Sequence, residues 1–328
     1  MCLLFLFVYL CSVFLHNVFM ADILFVIAGV VLVLWGADRL TDGATALARR
    51  MNVPQIVIGL TVVAMGTSMP EFFVSLVSAL KGTPDLAVGN VVGSNIFNTL
   101  LIVGVSAAVA PMAISRSTVK KDIPFAVVST VMLILMCMDG EISFVDAALL
   151  FAFFICFMVY TLHLAKSGKA EAEAETQREV SPLMSVVFIV VGLACLVGGS
   201  NLFVNGATGI ARALNVSDAV IGLTVVACGT SLPELATSVV AARKGRSAMA
   251  IGNVLGSNVF NILMILGITG MVAPMRIEGI TMTDLLVMFA GIMLLWMFSY
   301  TKYKVARWEG FVLAAMFAGY MVWLVSNV

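Results

Sequence analysis

The sequence has few charged residues, few histidines and no closely spaced cysteines. Only 11% of its 328 residues are charged, against about 25% in soluble domains. The formal net charge is zero, which argues against the basic surface that binds nucleic acid. The six cysteines are dispersed through apolar runs and the two histidines stand far apart. These absences argue against disulfides and against thiolate or imidazole metal sites.

Apolar residues dominate instead. They make up 62% of the chain, and the mean hydropathy is +1.11. We therefore expect an all-α integral membrane protein whose surroundings are the lipid bilayer. Runs long enough for spans of about 17–25 residues predict ten transmembrane helices. They fall at 22–46, 53–79, 84–110, 121–138, 142–165, 182–208, 216–242, 247–272, 281–299 and 305–326.

One polar segment, residues 166–181, divides the chain and is too short to form a domain. We expect five helices on each side of it, in repeat 1 (20–165) and repeat 2 (182–328). Residues 1–19 are apolar but lack the positive start and cleavage site of a signal peptide. We expect them to be an N-terminal extension, with Met20 the initiator, rather than an eleventh helix.

The basic residues are shared unequally between the two ends of the predicted spans. Fifteen Lys and Arg residues fall on one side, and only Lys81, Arg212 and Arg276 fall on the other. The positive-inside rule makes the richer side cytoplasmic. We therefore expect a multi-pass protein of the cell (inner) membrane, with a cytoplasmic linker and both ends of the ten-helix body outside. Because each repeat has an odd number of helices, the second must be inverted relative to the first.

One segment of the chain occurs twice. Residues 59–104 align without a gap with residues 222–267, at an offset of 163, and 28 of the 46 positions are identical. Each copy places one glutamate, Glu71 or Glu234, in an apolar stretch. Charged residues inside a membrane are costly and usually functional, and helix packing requires no carboxylate there. The duplicated glutamates predict an ion site on a symmetric scaffold.

Both glutamates follow a proline in a Gly-Thr-Ser-x-Pro-Glu string. Proline removes a backbone donor and clashes with the preceding turn, so each helix should break before Pro70 or Pro233 and restart there. The breaks should free carbonyl groups around 64–67 and 227–230. At this depth such groups need a partner, and a cation could supply it.

Polar side chains surround each glutamate in the same pattern. The candidates are Thr67, Ser68, Thr230 and Ser231 beside the glutamates, with Asn90, Ser94, Asn98, Asn253, Ser257 and Asn261 along the following spans. Together these groups offer carboxylate, hydroxyl and amide oxygens, which suit hard cations such as Ca²⁺ or Na⁺. A buried carboxylate without a partner is strongly disfavoured, so an empty site should take up a proton or another ion.

Some of these polar and small residues have a simpler interpretation. Glycine and serine often let membrane helices pack closely, and this reading is favoured for the glycines of the repeated segment, Gly89, Gly93, Gly252 and Gly256. Asp38 and Asp42 lie near the cytoplasmic end of the first span. They could line an ion path, but an interfacial role is at least as reasonable.

The strings GTSMPE with GNVVGSNIFN, and GTSLPE with GNVLGSNVFN, resemble the two alpha-repeats of the cation/calcium antiporter superfamily, which includes sodium/calcium exchangers. The resemblance covers residues 20–328 and is closest to short prokaryotic members. It implies ten helices in two inverted repeats, with broken second, third, seventh and eighth helices around Na⁺ and Ca²⁺ sites. The ligands that it implies are Glu71, Glu234, Thr67, Ser68, Thr230, Ser231, Ser94, Asn98, Ser257 and the backbone oxygens of Ala64 and Ala227.

The resemblance also implies that the first and sixth helices slide across this core. Gly36, Gly43, Gly199 and Gly206 would then serve as low-friction contacts. One position departs from the family pattern, because well-studied exchangers carry aspartate where this chain has Asn261. The site then has two carboxylates rather than three, which leaves Na⁺ and H⁺ both open as counter-ions.

The expected function is therefore a secondary antiporter that expels Ca²⁺ in exchange for Na⁺ by alternating access. A Ca²⁺/H⁺ antiporter is the alternative, and a cation channel built on the same site is a more distant one. We expect no enzymatic activity, no cofactor and no obligate protein partner. An intramembrane protease would need the two carboxylates to activate a water molecule, whereas hydroxyl and amide oxygens suggest a cage for a dehydrated ion.

Overall fold

The computed structural model describes residues 2–166, 181–214, 216, 225, 227–273, 275–277 and 279–326. Most of the predicted linker (167–180) and most of the start of the predicted seventh span (217–224 and 226) lie outside these residues. The side chains of the predicted N-terminal extension lie outside them as well. The described chain is helical, with short strands at its turns.

The helices follow the predicted spans closely along the chain. The first repeat contains α1 (Cys2–Arg50), α2 (Gln55–Thr67), α3 (Met69–Leu80), α4 (Pro84–Val109), α5 (Ile123–Cys137) and α6 (Phe144–Lys166). The second contains α7 (Pro182–Ala213), α8 (Ala227–Thr230), α9 (Leu232–Arg243), α10 (Ser247–Val272), α11 (Met282–Lys302) and α12 (Arg307–Ser326).

Within the described residues, fewer than ten helices are long and apolar enough by themselves to cross a membrane. Seven meet this requirement, and the bent pair α2–α3 makes an eighth. The predicted fourth span is helical, as a π-helical turn at Thr118–Asp122 that continues directly into α5, but this turn includes Lys120, Lys121 and Asp122. The predicted seventh span is described mainly from Ala227 onward.

The predicted helix breaks occur before both prolines. Helix α2 ends at Thr67 and α3 begins at Met69, with their axes 47° apart. In the second repeat α8 ends at Thr230 and α9 begins at Leu232. Each proline lies in the first turn of the new helix, where its missing N–H has no bond to break.

The resemblance also implies breaks in the third and eighth spans, and the structure corrects this expectation. Helices α4 and α10 are continuous and widen into π-helical turns at Phe97–Ile102 and Phe260–Ile265. Neither helix contains an internal proline, so backbone hydrogen bonding continues through the wider turn. Such turns are frequent at functional sites.

Two short strand pairs join the repeats. Strand β1 (Met112–Ala113) pairs with β4 (Lys304–Val305), and β2 (Glu141–Ile142) pairs with β3 (Met275–Arg276), all antiparallel. The offset of 163 residues maps β1 onto β3 and β2 onto β4. It also maps the residue pairing of β1 with β4 onto that of β3 with β2. The strand pairs therefore carry the same approximate two-fold relation as the duplicated segment.

The strands also fix the directions of the two central helices. Helix α4 begins beside β3 and leads into β1, whereas α10 begins beside β1 and leads into β3. The two helices therefore run in opposite directions. Their most apolar windows are 78% and 83% buried, compared with 22% for α1 and α12, so α4 and α10 form the centre of the molecule.

A glycine seam joins α1 to α7. A Cβ atom on Gly36 would lie 2.8 Å from the carbonyl oxygen of Gly192, and one on Gly199 would lie 2.8 Å from that of Gly29. Gly43 and Gly206 approach the opposite helix in the same way, at Ser185 and Asp22. Because real Cβ atoms essentially never approach backbone atoms so closely, this seam requires glycine.

The seam corrects the role expected for these glycines. They were expected to let the first and sixth helices slide over the core, but their close contacts are with each other's helix. Small residues of this kind let two membrane backbones approach and pack tightly. Helices α1 and α7 therefore form one packed pair.

The seam generates a prediction with a matched control on the same helix. Gly199→Ala should lower the thermal unfolding midpoint in detergent, because overpacking costs about 1–3 kcal/mol. Gly198 is exposed and would place a Cβ with no described atom within 4 Å. Gly198→Ala should leave the midpoint unchanged or raise it, since alanine favours helix by about 1 kcal/mol. Equal midpoints for the two variants would contradict the seam.

Candidate cation site

The two predicted carboxylates lie at equivalent positions in the molecule. Glu71 is in the first turn of α3 and Glu234 is in the first turn of α9, each directly after a helix break. Each residue is only 1% exposed. Two carboxylates are thus held inside the helical bundle, as the duplicated motif predicts.

Each carboxylate is bound by the serine at the break of the other repeat. The Ser231 hydroxyl donates to Glu71 Oε1 over 2.9 Å, and the Ser68 hydroxyl donates to Glu234 Oε1 over 2.8 Å. The two bonds are related by the same offset of 163 residues. Both repeats are therefore needed to complete the surroundings of either glutamate.

Several buried oxygens near this crossing accept no hydrogen bond from the described residues. They are Glu71 Oε2, Glu234 Oε2, Asn98 Oδ1, Asn261 Oδ1 and Ser257 Oγ. An unsatisfied buried acceptor typically costs about 1–3 kcal/mol, and more when it is charged. A bound cation would satisfy several of these oxygens together. This set of donors fits a hard ion, as the sequence predicts.

The other predicted residues are close to this set but are already hydrogen-bonded. The Ser94 hydroxyl lies 3.2 Å from the Ser231 oxygen and can donate to it, since the single Ser231 proton goes to Glu71. The Thr67 hydroxyl donates to Asn253 Oδ1 over 3.2 Å and lies 3.3 Å from the carbonyl oxygen of Ala64. Thr230 lies within hydrogen-bonding range of the Glu71 carboxylate.

The predicted carbonyl ligands differ in what the structure shows of them. The Ala64 carbonyl was expected to be freed by the break, but it accepts the N–H of Ser68 over 2.9 Å. A carbonyl oxygen has a second lone pair, so this bond still leaves it able to contact an ion. Ala227 is the equivalent position in the second repeat and begins α8.

Four residues near the site were not singled out by the sequence. Ser75 and Ser238 accept hydrogen bonds from Asn90 and Asn253. Asn95 and Asn258 form a second polar layer beside the π-helical turns, where Asn95 Oδ1 accepts from the Asn261 amide over 3.3 Å. Ser75 and Ser238 are 163 residues apart, as are Asn95 and Asn258, so the internal repeat could have identified them.

Asp38 and Asp42 are part of an ion-pair network instead of the central site. Lys244 Nζ lies 2.6 Å from Asp38 Oδ1 and 2.8 Å from Asp42 Oδ1. The fully buried Arg246 lies 2.8 Å from the same Asp42 oxygen. These pairs join α1 to the α9–α10 turn, which supports the interfacial interpretation of the two aspartates.

The site as a whole has little charge and many neutral oxygens. Among the described residues, no group of three or more His, Cys, Asp and Glu side chains comes together in a metal-binding arrangement. The carboxylates at the centre are Glu71 and Glu234, and the remaining oxygens belong to hydroxyl, amide and carbonyl groups. This composition differs from that of a tightly held transition-metal centre.

Comparisons with known proteins agree with this geometry. The family model described as sodium/calcium exchanger protein matches residues 21–163 and 184–326, two matches that are 163 residues apart. A putative antiporter, CaxA of Alkalimonas amylolytica, is 39% identical over 93% of this chain and 98% of its own length. The sodium/calcium exchanger MaX1 of Methanosarcina acetivorans is 31% identical over 92% and 97%.

A solved structure has the same fold. It is that of the sodium-calcium exchanger NCX_Mj soaked with Na⁺ and Sr²⁺, which is 33% identical in sequence. The superposition covers 92% of this chain and 98% of that one, with a TM-score of 0.82. Members of this family are transporters rather than enzymes. Two family-model matches and full-length relatives show that this helical membrane protein, with its duplicated glutamate motif, belongs to the sodium/calcium exchanger protein family.

Proposed function

We propose that this protein is a secondary antiporter that exchanges Ca²⁺ for Na⁺ across the cell membrane. The observation that carries the proposal is the group of unsatisfied oxygens around Glu71 and Glu234. Two carboxylates can neutralise one divalent ion, and the neutral oxygens around them can replace its water shell. The relatives MaX1 and NCX_Mj are both sodium/calcium exchangers, which supports the same ions for this chain.

We further propose that the molecule is an inverted repeat of five plus five membrane helices. The opposite directions of α4 and α10, together with the strand pairs at their two ends, support this arrangement. A further contact agrees with it, since Asp85 Oδ1 accepts the N–H of Gly279 over 3.0 Å at the β3 end. The distribution of basic residues then places the Lys244–Arg246 turn in the cytoplasm and the Asp85 turn outside.

Competition for one site would couple the two ion fluxes. The carboxylates are buried and only partly hydrogen-bonded, so a site without ions would be unfavourable to carry across the membrane. Movement between the two orientations is then favoured only when Ca²⁺ or its counter-ions are bound. The α1–α7 pair is packed as one unit, so its movement across the helices that carry the site would open the site to alternate sides.

A Ca²⁺/H⁺ antiporter is the second candidate, and Asn261 is the observation that favours it. Its amide donates to Asn95 and its oxygen accepts no hydrogen bond from the described residues. Asn261 therefore offers a neutral oxygen to the site instead of a third carboxylate. A smaller negative charge weakens the electrostatic attraction for several Na⁺ ions, and protons on Glu71 and Glu234 could take their place.

The first prediction concerns the shared carboxylates. Glu71→Gln or Glu234→Gln should abolish Ca²⁺ uptake into proteoliposomes, because the neutral amide removes half of the charge that balances a divalent ion. Glu309→Gln is a matched control, since Glu309 is also buried but its carboxylate accepts the N–H of Ala306 at the start of α12. The control should transport normally. Wild-type exchange rates in Glu71→Gln would refute the shared site.

The second prediction identifies the counter-ion. Proteoliposomes loaded with Na⁺ and diluted into Na⁺-free buffer should accumulate radioactive Ca²⁺, and an ionophore that dissipates the Na⁺ gradient should stop it. A parallel set of vesicles carries an outward proton gradient without Na⁺. Uptake in that set alone would establish Ca²⁺/H⁺ exchange instead. Uptake that follows the Ca²⁺ gradient without saturation or counter-flow would indicate a channel.

A further inference from the structure

Two asparagines near the site use both of their amide protons away from the centre. Asn253 Nδ2 lies 3.3 Å from the backbone oxygen of Glu234 and 2.9 Å from the Ser238 hydroxyl. Asn90 makes the equivalent bonds in the first repeat, to the backbone oxygen of Glu71 over 3.2 Å and to Ser75 over 3.0 Å. Each amide therefore joins the helix that carries a glutamate to the next helix in the chain.

The oxygen of Asn253 is also occupied, by a group from the other repeat. It accepts the hydroxyl of Thr67 over 3.2 Å, and Asn253 is completely buried. One amide thus contacts Thr67 at the end of α2 and the main chain of Glu234 in α9. It fixes the separation of two candidate ligands that belong to different halves of the molecule.

Asn98 and Asn261 lie further along the same helices, α4 and α10, as Asn90 and Asn253, but their surroundings differ from those of Asn253. Their side-chain oxygens accept no hydrogen bond from the described residues, whereas both ends of the Asn253 side chain are engaged. The asparagines of these helices are therefore of two kinds. Asn98 and Asn261 have oxygens available for a cation, and Asn253 is fully occupied by protein groups.

We propose that Asn253, supported by Ser238, is a positioning residue that sets the spacing of the ligand oxygens from Thr67 and Glu234 and thereby selects for the size of the cation. The proposal rests on the function proposed above and adds the origin of its size selectivity. Asn90 and Ser75 support the main chain of Glu71 through the equivalent pair of hydrogen bonds. The Ser68 hydroxyl donates to the carboxylate of Glu234, and the Thr67 hydroxyl lies within hydrogen-bonding range of it, so the contacts of Asn253 with Thr67 and with the Glu234 main chain both bear on where that carboxylate lies.

If Asn253 is a positioning residue, its loss should change the affinity for Ca²⁺ more than the turnover rate. Loss of a group that orients a metal ligand commonly lowers metal affinity by about 10–100-fold. We expect Asn253→Ala to raise the KM for Ca²⁺ by about this factor while kcat is largely retained. A loosened site should also accept the larger Sr²⁺ better relative to Ca²⁺, so the ratio of kcat/KM for Sr²⁺ to that for Ca²⁺ should rise.

Two further variants distinguish positioning from direct ligation. Asn253→Asp keeps an oxygen for Thr67, but its carboxylate donates no hydrogen bond to Glu234 or Ser238, so it should weaken Ca²⁺ binding as the alanine does. Ser238→Ala removes one support and should raise KM in the same direction by a smaller factor. Ser299→Ala is the control, because Ser299 is equally buried and, among the described residues, its hydroxyl bonds to its own helix at Leu295.

The experiment measures uptake of Ca²⁺ and Sr²⁺ by full-length protein in proteoliposomes, together with the rise in thermal unfolding midpoint caused by each ion in detergent. A bound ion stabilises the folded state according to its affinity, so the second measurement needs no counter-ion. If wild-type protein binds Ca²⁺ but does not exchange it, the proposed function fails and the midpoints alone test Asn253.

Three results would overturn the role of Asn253. In the first, Asn253→Ala gives less folded protein but keeps the wild-type KM and the wild-type Sr²⁺/Ca²⁺ ratio, which would show that the residue is purely structural. The second is tighter Ca²⁺ binding by Asn253→Asp than by wild type, which would show a direct ligand. The third is no stabilisation of wild type by either ion, which would overturn the proposed function as well.

Discussion

The structure depends on the burial of two carboxylates in a molecule that is otherwise apolar. A charged group in a membrane interior needs a partner, and each glutamate has one oxygen bonded by a serine of the other repeat and one that accepts no hydrogen bond from the described residues. The helix breaks, the polar side chains of α4 and α10 and the oxygens without hydrogen bonds all lie around these two carboxylates. A cation bound there would supply the partner that these oxygens lack, and the same lack makes the empty site unfavourable.

The approximate two-fold relation explains why neither half can act alone. Each strand pair takes one strand from each repeat, each serine–glutamate bond crosses between repeats, and the glycine seam joins α1 to α7. A repeat by itself would expose an unpaired strand, a glycine face and an unsatisfied carboxylate. The duplication of the sequence is therefore a requirement of the site as well as a record of its origin.

The sequence predicted the parts of this site that rest on strong local chemistry. A proline in a span forces a break, and a glutamate in an apolar run has few roles, so Pro70, Pro233, Glu71 and Glu234 were informative. The π-helical turns could not be predicted, because backbone geometry within a helix changes without a change of residue type. The direction in which glycines and asparagines face depends on tertiary contacts, so the seam and Asn253 required the structure.

The ion pairs of Asp38 and Asp42 with Lys244 and Arg246 have a consequence for the energetics of the whole scaffold. Two identical inverted halves would give two end states of equal free energy. The positions equivalent to these four residues hold Asn201, Asn205, Lys81 and Thr83, which cannot form the same pairs. The architecture is thus nearly symmetric, whereas these ion pairs belong to one of its two ends. In the proposed exchanger they would give the two orientations different free energies and so influence which one the resting protein adopts.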